Sequence, residues 1–349
     1  MKVAIQNYLN EHISENAKII EIKKSNKPLK FVRYGLKKFQ ELNIRYKINK
    51  QEYALKLIIK KYPVIDVPMM ISKDTNYREI QFFSADIKKI FSRFFDIPAL
   101  FVDTRAVFMR DFVIDKKQFG PPILPTKEQL KVLITRTAIK DAKLAGQNWE
   151  YACQFQDIFD FMYRTLTDAL TQQEAAHLKK EWPWFQSCLK RFLKQIGSAR
   201  LDKIKTKFSP AKMKRFLKSV PFTLHHGDFF YANIGFNEEL KPMVINWEML
   251  SYAPIGYDFV TLTKDIPPLD FCDCYEEWYV EAYNNACDNP ITVKSFTNIA
   301  EKLKNFQFMA INTLEMLYEH KWTDEMGKQE REAKMKYFID RLDSVLTQS

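Results

Sequence analysis

The segment that most constrains the fold is HHGDFFYANIGF, residues 225–236, which is followed by VINWEML at 244–250. Three of the chain's eight glycines and two of its five histidines lie between residues 225 and 256. Gly227 directly precedes Asp228 and lets the backbone turn sharply there, because glycine adopts conformations that other residues avoid. We therefore predict a tight loop that directs the side chains of Asp228 and Asn233 into one cleft.

A carboxylate followed five positions later by a carboxamide suits phosphoryl transfer. An Asp accepts the proton of an attacking hydroxyl group, and the oxygen of an Asn is a hard, neutral ligand for Mg²⁺. Two other interpretations stay open. His225 and His226 could join Asp228 as metallohydrolase ligands, or the carboxylate could simply cap a turn.

The pattern H-G-D-x-x-x-x-N at 226–233 has the spacing of the catalytic loop H-R-D-x-x-x-x-N of protein kinases. A hairpin follows, and then the strand MVINWE and the stretch GYDF at 256–259. In this order the motifs resemble the aminoglycoside phosphotransferase and choline kinase-like family, which is related to the protein kinases. The resemblance covers about 34 residues closely.

The resemblance implies a role for each matching residue. Asp228 would be the catalytic base, Asn233 would bind the metal ion, and His226 and Asp258 would support the loop. Asn246 stands where the family places a second metal-binding Asp, so that one negative charge beside the metal is lost. If the strand continues, Glu248, two residues further on, would share a strand face with Asn246 and could compensate for that charge.

The first third of the chain predicts a small sheet with one main helix. The segments at 29–36, 42–48 and 52–62 are rich in β-branched and aromatic residues, and so are ALFVD and AVFMRDFV at 99–113. Between them, residues 74–95 place apolar side chains three or four positions apart, which is typical of a helix.

A kinase-like cleft needs a strand lysine for the phosphates and a helix glutamate that orients this lysine. Lys56 in YALKLII resembles the lysine of the V-A-I-K strand, and Glu79 is the predicted partner. Alternatively, Lys56 extends its charge to solvent at an edge of the sheet. Independently of that, Glu79 could form a capping box with Asn76.

The adenine of a bound nucleotide is predicted to meet the hinge strand, at Met109, Arg110, Asp111 and Phe112. The glycine-rich phosphate loop expected of a kinase is poor here, since its region contains only Gly35.

The residue pattern changes after the proline-rich segment FGPPILPT at 119–126, where long helical patterns begin. We predict an α+β fold of the protein kinase-like, two-lobe type. Residues 1–113 would form an N-terminal nucleotide-binding lobe with an antiparallel sheet. Residues 114–349 would form a larger helical C-terminal lobe with the catalytic loop and the acceptor pocket.

Composition favours a globular protein with reduced thiols. The chain is 46% hydrophobic, it has five cysteines, and no apolar stretch approaches the roughly 20 residues of a membrane span. We expect a cytoplasmic protein without a membrane partner. Residues 1–113 hold 22 Lys and Arg against 12 Asp and Glu, an excess that could attract an anionic ligand or simply form a solvated lysine-rich face. The chain shows no nucleic-acid-binding signature, so a nucleic-acid partner rests on charge alone.

The predicted activity is transfer of the γ-phosphate of ATP, with Mg²⁺, to a hydroxyl group of a small molecule. An amino sugar, an aminoglycoside, a choline-like amine or a sugar would fit as acceptor. The segment between Asn246 and Asp258 is too short for the activation segment of a protein kinase. The alternative is a pseudokinase that binds nucleotide with little or no catalysis, because Asn246 replaces the Asp. The sequence does not indicate an oligomeric state.

Overall fold

The computed structural model describes residues 1–25, 38–61, 79–80, 82–83, 87–103, 106–110, 125–147, 154–181, 183–237, 239–263, 275–314, 316–317 and 328–347. The predicted strand at 29–36, Asn76 and the predicted break near residue 113 lie outside these ranges.

The described residues of the N-terminal region form a five-stranded antiparallel sheet in the order β1-β2-β3-β5-β4. Its strands are β1 (Ala17–Lys24), β2 (Lys38–Ile48), β3 (Gln51–Lys61), β4 (Ala99–Asp103) and β5 (Ala106–Arg110). β2 and β3 form a hairpin whose two-residue turn begins at Asn49, with φ at 54°. Asn tolerates this left-handed conformation better than most residues, which favours it in such turns.

Two helical pieces accompany the sheet. Helix α1 (Lys2–His12) packs its buried residues Ile5 and Leu9 into an apolar layer with Leu42, Leu57 and Phe108 of the sheet. Residues 79–80 and 82–83 are also helical, and α2 (Ile87–Phe91) follows. These pieces lie within the predicted helix at 74–95.

The remainder of the chain is mainly helical. Its helices are α3 (Lys127–Leu144), α4 (Gln154–Leu166), α5 (Gln172–Glu181), α6 (Phe185–Ile196), α7 (Ser198–Lys207), α8 (Pro210–Lys218), α9 (Tyr257–Thr263), α10 (Tyr275–Asn284), α11 (Val293–Gln307) and α12 (Lys328–Thr347). A π-helical turn, Phe308–Asn312, continues α11. Helix α3 begins with a capping box, in which Thr126 and Gln129 exchange side-chain and backbone hydrogen bonds.

Four short strands lie between α8 and α9. Strand β6 (Phe222–His225) pairs with β9 (Ser251–Pro254), and β7 (Ile234–Phe236) pairs with β8 (Pro242–Val244). Single 3₁₀ turns, Tyr231–Asn233 and Trp247–Met249, precede β7 and β9.

The two regions are joined next to the β7–β8 hairpin. The backbone N–H of Asp96 donates to Pro242 O (2.7 Å), and its carbonyl accepts from Val244 N (2.9 Å). Phe82 stacks on Trp247, with ring centroids 4.2 Å apart, and Phe91 meets the same indole edge-on. These contacts belong to one apolar cluster that spans both regions and places the loops beside the sheet.

The structure confirms the predicted α+β fold, with an antiparallel sheet followed by a helical region. No helix in the described part of the chain is long and apolar enough to cross a membrane.

Candidate active site

The loop after β6 is shaped by Gly227. Its φ is 84°, and a Cβ atom built at this position would lie 1.8 Å from the carbonyl oxygen of Met249. Any side chain here would therefore clash with the backbone that leads into β9. The close approach explains why glycine precedes Asp228.

His226 is fully buried in the loop. Burial lowers the pKa of its imidazole, although the carboxylates of Asp258 and Asp228 act in the opposite direction. Nδ1 accepts a hydrogen bond from Asp228 N (3.2 Å), and Nε2 donates to Ile245 O (2.9 Å). The ring thus connects the loop to the strand that leads to Asn246, a placement consistent with structural support.

Asp228 and Asn233 lie together, as the spacing predicts. Asn233 Nδ2 donates to both the backbone oxygen (2.9 Å) and Oδ2 (2.8 Å) of Asp228. The first bond closes the loop, and the second orients the carboxylate. The backbone oxygen of Asn233 accepts from Ile245 N (3.0 Å), which holds the next hairpin beside the loop.

Asn246 lies between two charged groups of the site. Its backbone is left-handed, with φ at 70°. Its Oδ1 accepts a hydrogen bond from Lys60 Nζ (2.8 Å), and its Nδ2 donates to Asp228 Oδ2 (3.3 Å). The amide therefore links a lysine of the sheet to the carboxylate of the loop.

The structure corrects the prediction that Glu79 pairs with Lys56. Glu79 pairs with Lys60 (Nζ–Oε2 2.6 Å), whereas Lys56 is exposed and pairs with Glu41 on β2 (3.0 Å). Lys56 and Lys60 are four positions apart and share a strand face, so that alternation alone does not distinguish them. Among the described residues β5 pairs with β3 from Leu57 to Lys61, and on this part of the strand Lys60 is buried against Glu79, Asn246 and Glu248.

Lys60 is almost fully buried, with 1% of its side chain exposed. It also contacts the carboxylate of Glu248, while Glu79 Oε1 accepts from Trp247 N (2.9 Å). Burial lowers the pKa of Lys60, and the carboxylates of Glu79 and Asp228 act in the opposite direction. Glu79 thus fixes both the lysine and the backbone next to Asn246.

Asp258 lies at the N-terminal end of α9 and holds the loop from below. Its Oδ2 accepts from His226 N (3.0 Å), and its Oδ1 accepts from Gly227 N (3.1 Å). These two bonds connect the backbone of the loop to the start of α9.

A buried lysine beneath the loop was missed by the sequence analysis. Lys140 of α3 is fully buried and donates to Asp258 Oδ2 (2.8 Å) and to Leu224 O (2.9 Å), and it pairs with Asp141 (2.9 Å). Burial acts to lower the pKa of Lys140, but the carboxylates of Asp141 and Asp258 outweigh it and raise the pKa. Burial likewise acts to raise the pKa of Asp258, but the charge of Lys140 lowers it well below its ordinary value.

Asp141 anchors the other side of this buried network. Its Oδ2 accepts from Gly256 N (2.9 Å) and from the hydroxyl of Tyr279 (2.5 Å). The sequence contains a signal for this residue, because Asp141 continues the apolar spacing of α3 through Leu130, Ile134 and Thr137. A carboxylate on the buried stripe of a helix needs a partner.

Of the four predicted hinge residues, two can be placed. Met109 is buried on β5 opposite Ile58, and Arg110 is exposed and pairs with the carboxylate of Asp96. Asp111 and Phe112 lie outside the described residues, as does Gly35.

The donors around Asp228 suit a hard cation. Within the described ranges no group of three or more His, Cys, Asp and Glu residues is arranged to hold a metal ion. A cation here would depend on the amide oxygens of Asn233 and Asn246 beside the carboxylates of Asp228 and Glu248. Such oxygen donors fit Mg²⁺, which takes few protein ligands and keeps phosphate oxygens and water.

Residues 141–286 match the model of the phosphotransferase enzyme family, which confirms the family resemblance of the sequence. The matched range includes Asp228, Asn233, Asn246 and Asp258. No curated protein sequence matches the chain.

Among solved structures, a choline kinase from Cryptosporidium parvum Iowa II is similar at 10% identity and a TM-score of 0.52, covering 99% of this chain and 96% of that one. At this identity the likeness concerns the fold alone. Choline kinase LicA from Streptococcus pneumoniae aligns at 12% identity and a TM-score of 0.46, covering 99% of both chains. The GDP complex of wild-type aminoglycoside 2′-phosphotransferase-IIIa aligns at 11% identity and a TM-score of 0.45, covering 99% of this chain and 98% of that one.

Proposed function

On the premise that residues 141–286 match the phosphotransferase enzyme family, we propose that this chain transfers the γ-phosphate of ATP to a hydroxyl group of a small molecule. The observation that supports this most is the chain of contacts from Lys60 through Asn246 to Asp228. It brings a cation, an amide and a carboxylate from two regions of the protein to one point. The acceptor would be an amino sugar, an aminoglycoside, a choline-like amine or a sugar.

In the reaction, Asp228 receives the proton of the acceptor hydroxyl as its oxygen attacks the γ-phosphorus. The bond between that phosphorus and the β-phosphate oxygen breaks, and ADP leaves. The Asn233 amide holds the Asp228 carboxylate in the orientation that this proton transfer requires. Asp258 and His226 keep the loop backbone in place beneath it.

Lys60, rather than Lys56, binds the α- and β-phosphates, and Glu79 orients it. Mg²⁺ would neutralise charge on the phosphate oxygens, and the side-chain oxygens of Asn233 and Asn246 would hold it. The hinge at Met109 to Phe112 would meet the adenine. Residues 1–113 would thus form the nucleotide-binding lobe, and residues 114–349 would bind the acceptor.

A second function, nucleotide binding without catalysis, is favoured by one observation. Asn246 already satisfies Lys60 and Asp228 with its own amide, and it adds no negative charge for a metal ion. A protein that binds nucleotide without catalysis would not need a second metal-binding carboxylate at this position.

Turnover of ATP with Mg²⁺ across a panel of amino sugars, choline-like amines and sugars tests the proposal. The wild type should phosphorylate at least one acceptor class, and Asp228→Asn should lower kcat by about 10²-fold or more, since a general base contributes 10²–10⁴-fold. Lys60→Met should raise the KM for ATP and lower kcat, whereas Lys56→Met should behave as the wild type.

Nucleotide binding without turnover of any acceptor would favour the second function. Activity that survives Asp228→Asn unchanged would contradict the proposed base. Activity that is lost in Lys56→Met and kept in Lys60→Met would contradict the assignment of the lysine.

A further inference from the structure

We propose that Asn246 is a positioning residue that takes the place of a bridging cation, so that the site keeps its geometry before any divalent cation binds. The inference rests on the proposed function, since it concerns the resting state of the same nucleotide site. It predicts that the stability of the nucleotide-free protein does not depend on divalent cations. A variant with a carboxylate at position 246 should lose stability when these cations are removed.

The contacts of the Asn246 side chain use both of its polar atoms. The oxygen accepts from Lys60 (2.8 Å), and the nitrogen donates to Asp228 (3.3 Å). An amide can do both because it contains a donor and an acceptor, whereas an ionised carboxylate only accepts. Position 246 is thus occupied by a group that matches the lysine on one side and the carboxylate on the other.

The Asn246 side chain forms a bridge from Lys60 to Asp228, and the charges around this bridge explain why an amide fits there better than a carboxylate. Lys60 already contacts the carboxylates of Glu79 and Glu248, so a further negative charge is not needed to balance it. An Asp at position 246 would direct an oxygen at Asp228 Oδ2, where the amide nitrogen now lies 3.3 Å away. Two carboxylates at this distance repel each other unless a cation lies between them.

The backbone at this position makes the test specific for charge. Asn246 is left-handed at φ 70° and ψ 56°, and Asn and Asp are the residues with side chains that tolerate this conformation best. Asn246→Asp therefore changes the charge with little change in size or backbone preference.

The experiment compares thermal unfolding of the nucleotide-free protein in EDTA and in Mg²⁺. The wild type should unfold at the same temperature in both, within about 1 °C. Asn246→Asp, purified in Mg²⁺, should lose about 3 °C or more when the cation is chelated and should recover when Mg²⁺ returns.

Asn43→Asp is the matched control. Asn43 is exposed on β2, and its Nδ2 donates to Glu41 Oε1 (3.3 Å), so the change again sets two carboxylates side by side. Water and salt screen this pair of carboxylates, so the unfolding temperature of Asn43→Asp should not depend on Mg²⁺.

A second measurement is the affinity for ATP in EDTA and in Mg²⁺. Removal of Mg²⁺ should weaken binding at least ten-fold more in Asn246→Asp than in the wild type. A wild-type unfolding temperature that rises with Mg²⁺ by several degrees would overturn the inference. So would an Asn246→Asp variant that responds to the cation no more than the wild type.

The two arms separate this inference from the proposed function. Thermal unfolding in the two buffers uses neither ATP nor acceptor, so it judges the Asn246 bridge even if the chain proves to bind no nucleotide. Absence of ATP binding by the wild type would instead contradict the proposed function. If Asn246→Asp fails to fold, the wild-type response to Mg²⁺ still decides the inference.

Discussion

Gly227 occupies a position of the site that has no room for a side chain. Its φ of 84° is unfavourable for other residues, and a Cβ atom would lie 1.8 Å from Met249 O. Its N–H also donates to Asp258. The backbone that leads to Asp228 therefore depends on the absence of one methyl group.

Gly227→Ala should destabilise the protein far more than an ordinary glycine substitution. Gly146→Ala is the matched control, because Gly146 has a similar φ of 75° but nothing within 4 Å of the added Cβ. The control should lose about 1–2 kcal/mol from the left-handed backbone alone. Gly227→Ala should lose at least ~2 kcal/mol more, because overpacking adds to this cost.

Chemical denaturation of the two variants would check this difference. Equal losses of unfolding free energy would mean that the loop yields to the added methyl group at little cost. The close approach to Met249 would then not be what fixes the loop.

The candidate residues of the loop could be predicted from the sequence, since their relations are local. Asp228 and Asn233 lie five positions apart, and the fold closes that short segment with hydrogen bonds. The bridge through Asn246 could not be predicted in the same way. It depends on Lys60, 186 positions away in the chain.

Helix α3 contacts the loop at 226–233 through a buried charge, because Lys140 pairs with Asp258, which accepts from the N–H groups of His226 and Gly227. Lys140 lies between Asp141 and Asp258, and all three side chains are fully buried. Removing one partner of a buried pair leaves an uncompensated charge, which costs about 3–5 kcal/mol.

Lys140→Met should therefore lower the free energy of unfolding by about 3–5 kcal/mol in urea denaturation. Lys143→Met, on the exposed side of the same helix, should change it by no more than about 0.5 kcal/mol. Adding Asp258→Asn to Lys140→Met should cost less than the same change in the wild type, because the two groups interact directly. Strict additivity would contradict the assigned pair.

Strand β3 shows what a sequence pattern leaves undecided at the scale of an element. The strand itself is predicted well, but Lys56 and Lys60 point to the same face. Lys60 is buried against Glu79, Asn246 and Glu248, whereas Lys56 lies beside Glu41. Which lysine is buried thus depends on residues outside the strand, including Asn246, which is 186 positions from Lys60 in the chain.

At the scale of the whole molecule, the sheet and the helical region meet through few but specific contacts. One carboxylate oxygen of Glu79 accepts a hydrogen bond from Lys60, and the other accepts from the backbone N–H of Trp247. Phe82 stacks on the indole ring of the same Trp247. The order of a sheet before a helical region follows from composition and periodicity. The contacts between the regions do not, because they join residues that are far apart in the chain.

The central claim is that Lys60, Asp228, Asn233 and Asn246 converge on one bound triphosphate. The most direct measurement is a crystal structure of the protein with a non-hydrolysable ATP analogue and Mg²⁺. We expect the α- and β-phosphates at Lys60 Nζ, the γ-phosphate facing Asp228, and Lys56 still beside Glu41. Phosphates bound at Lys56, or a triphosphate bound away from Asp228, would contradict the account.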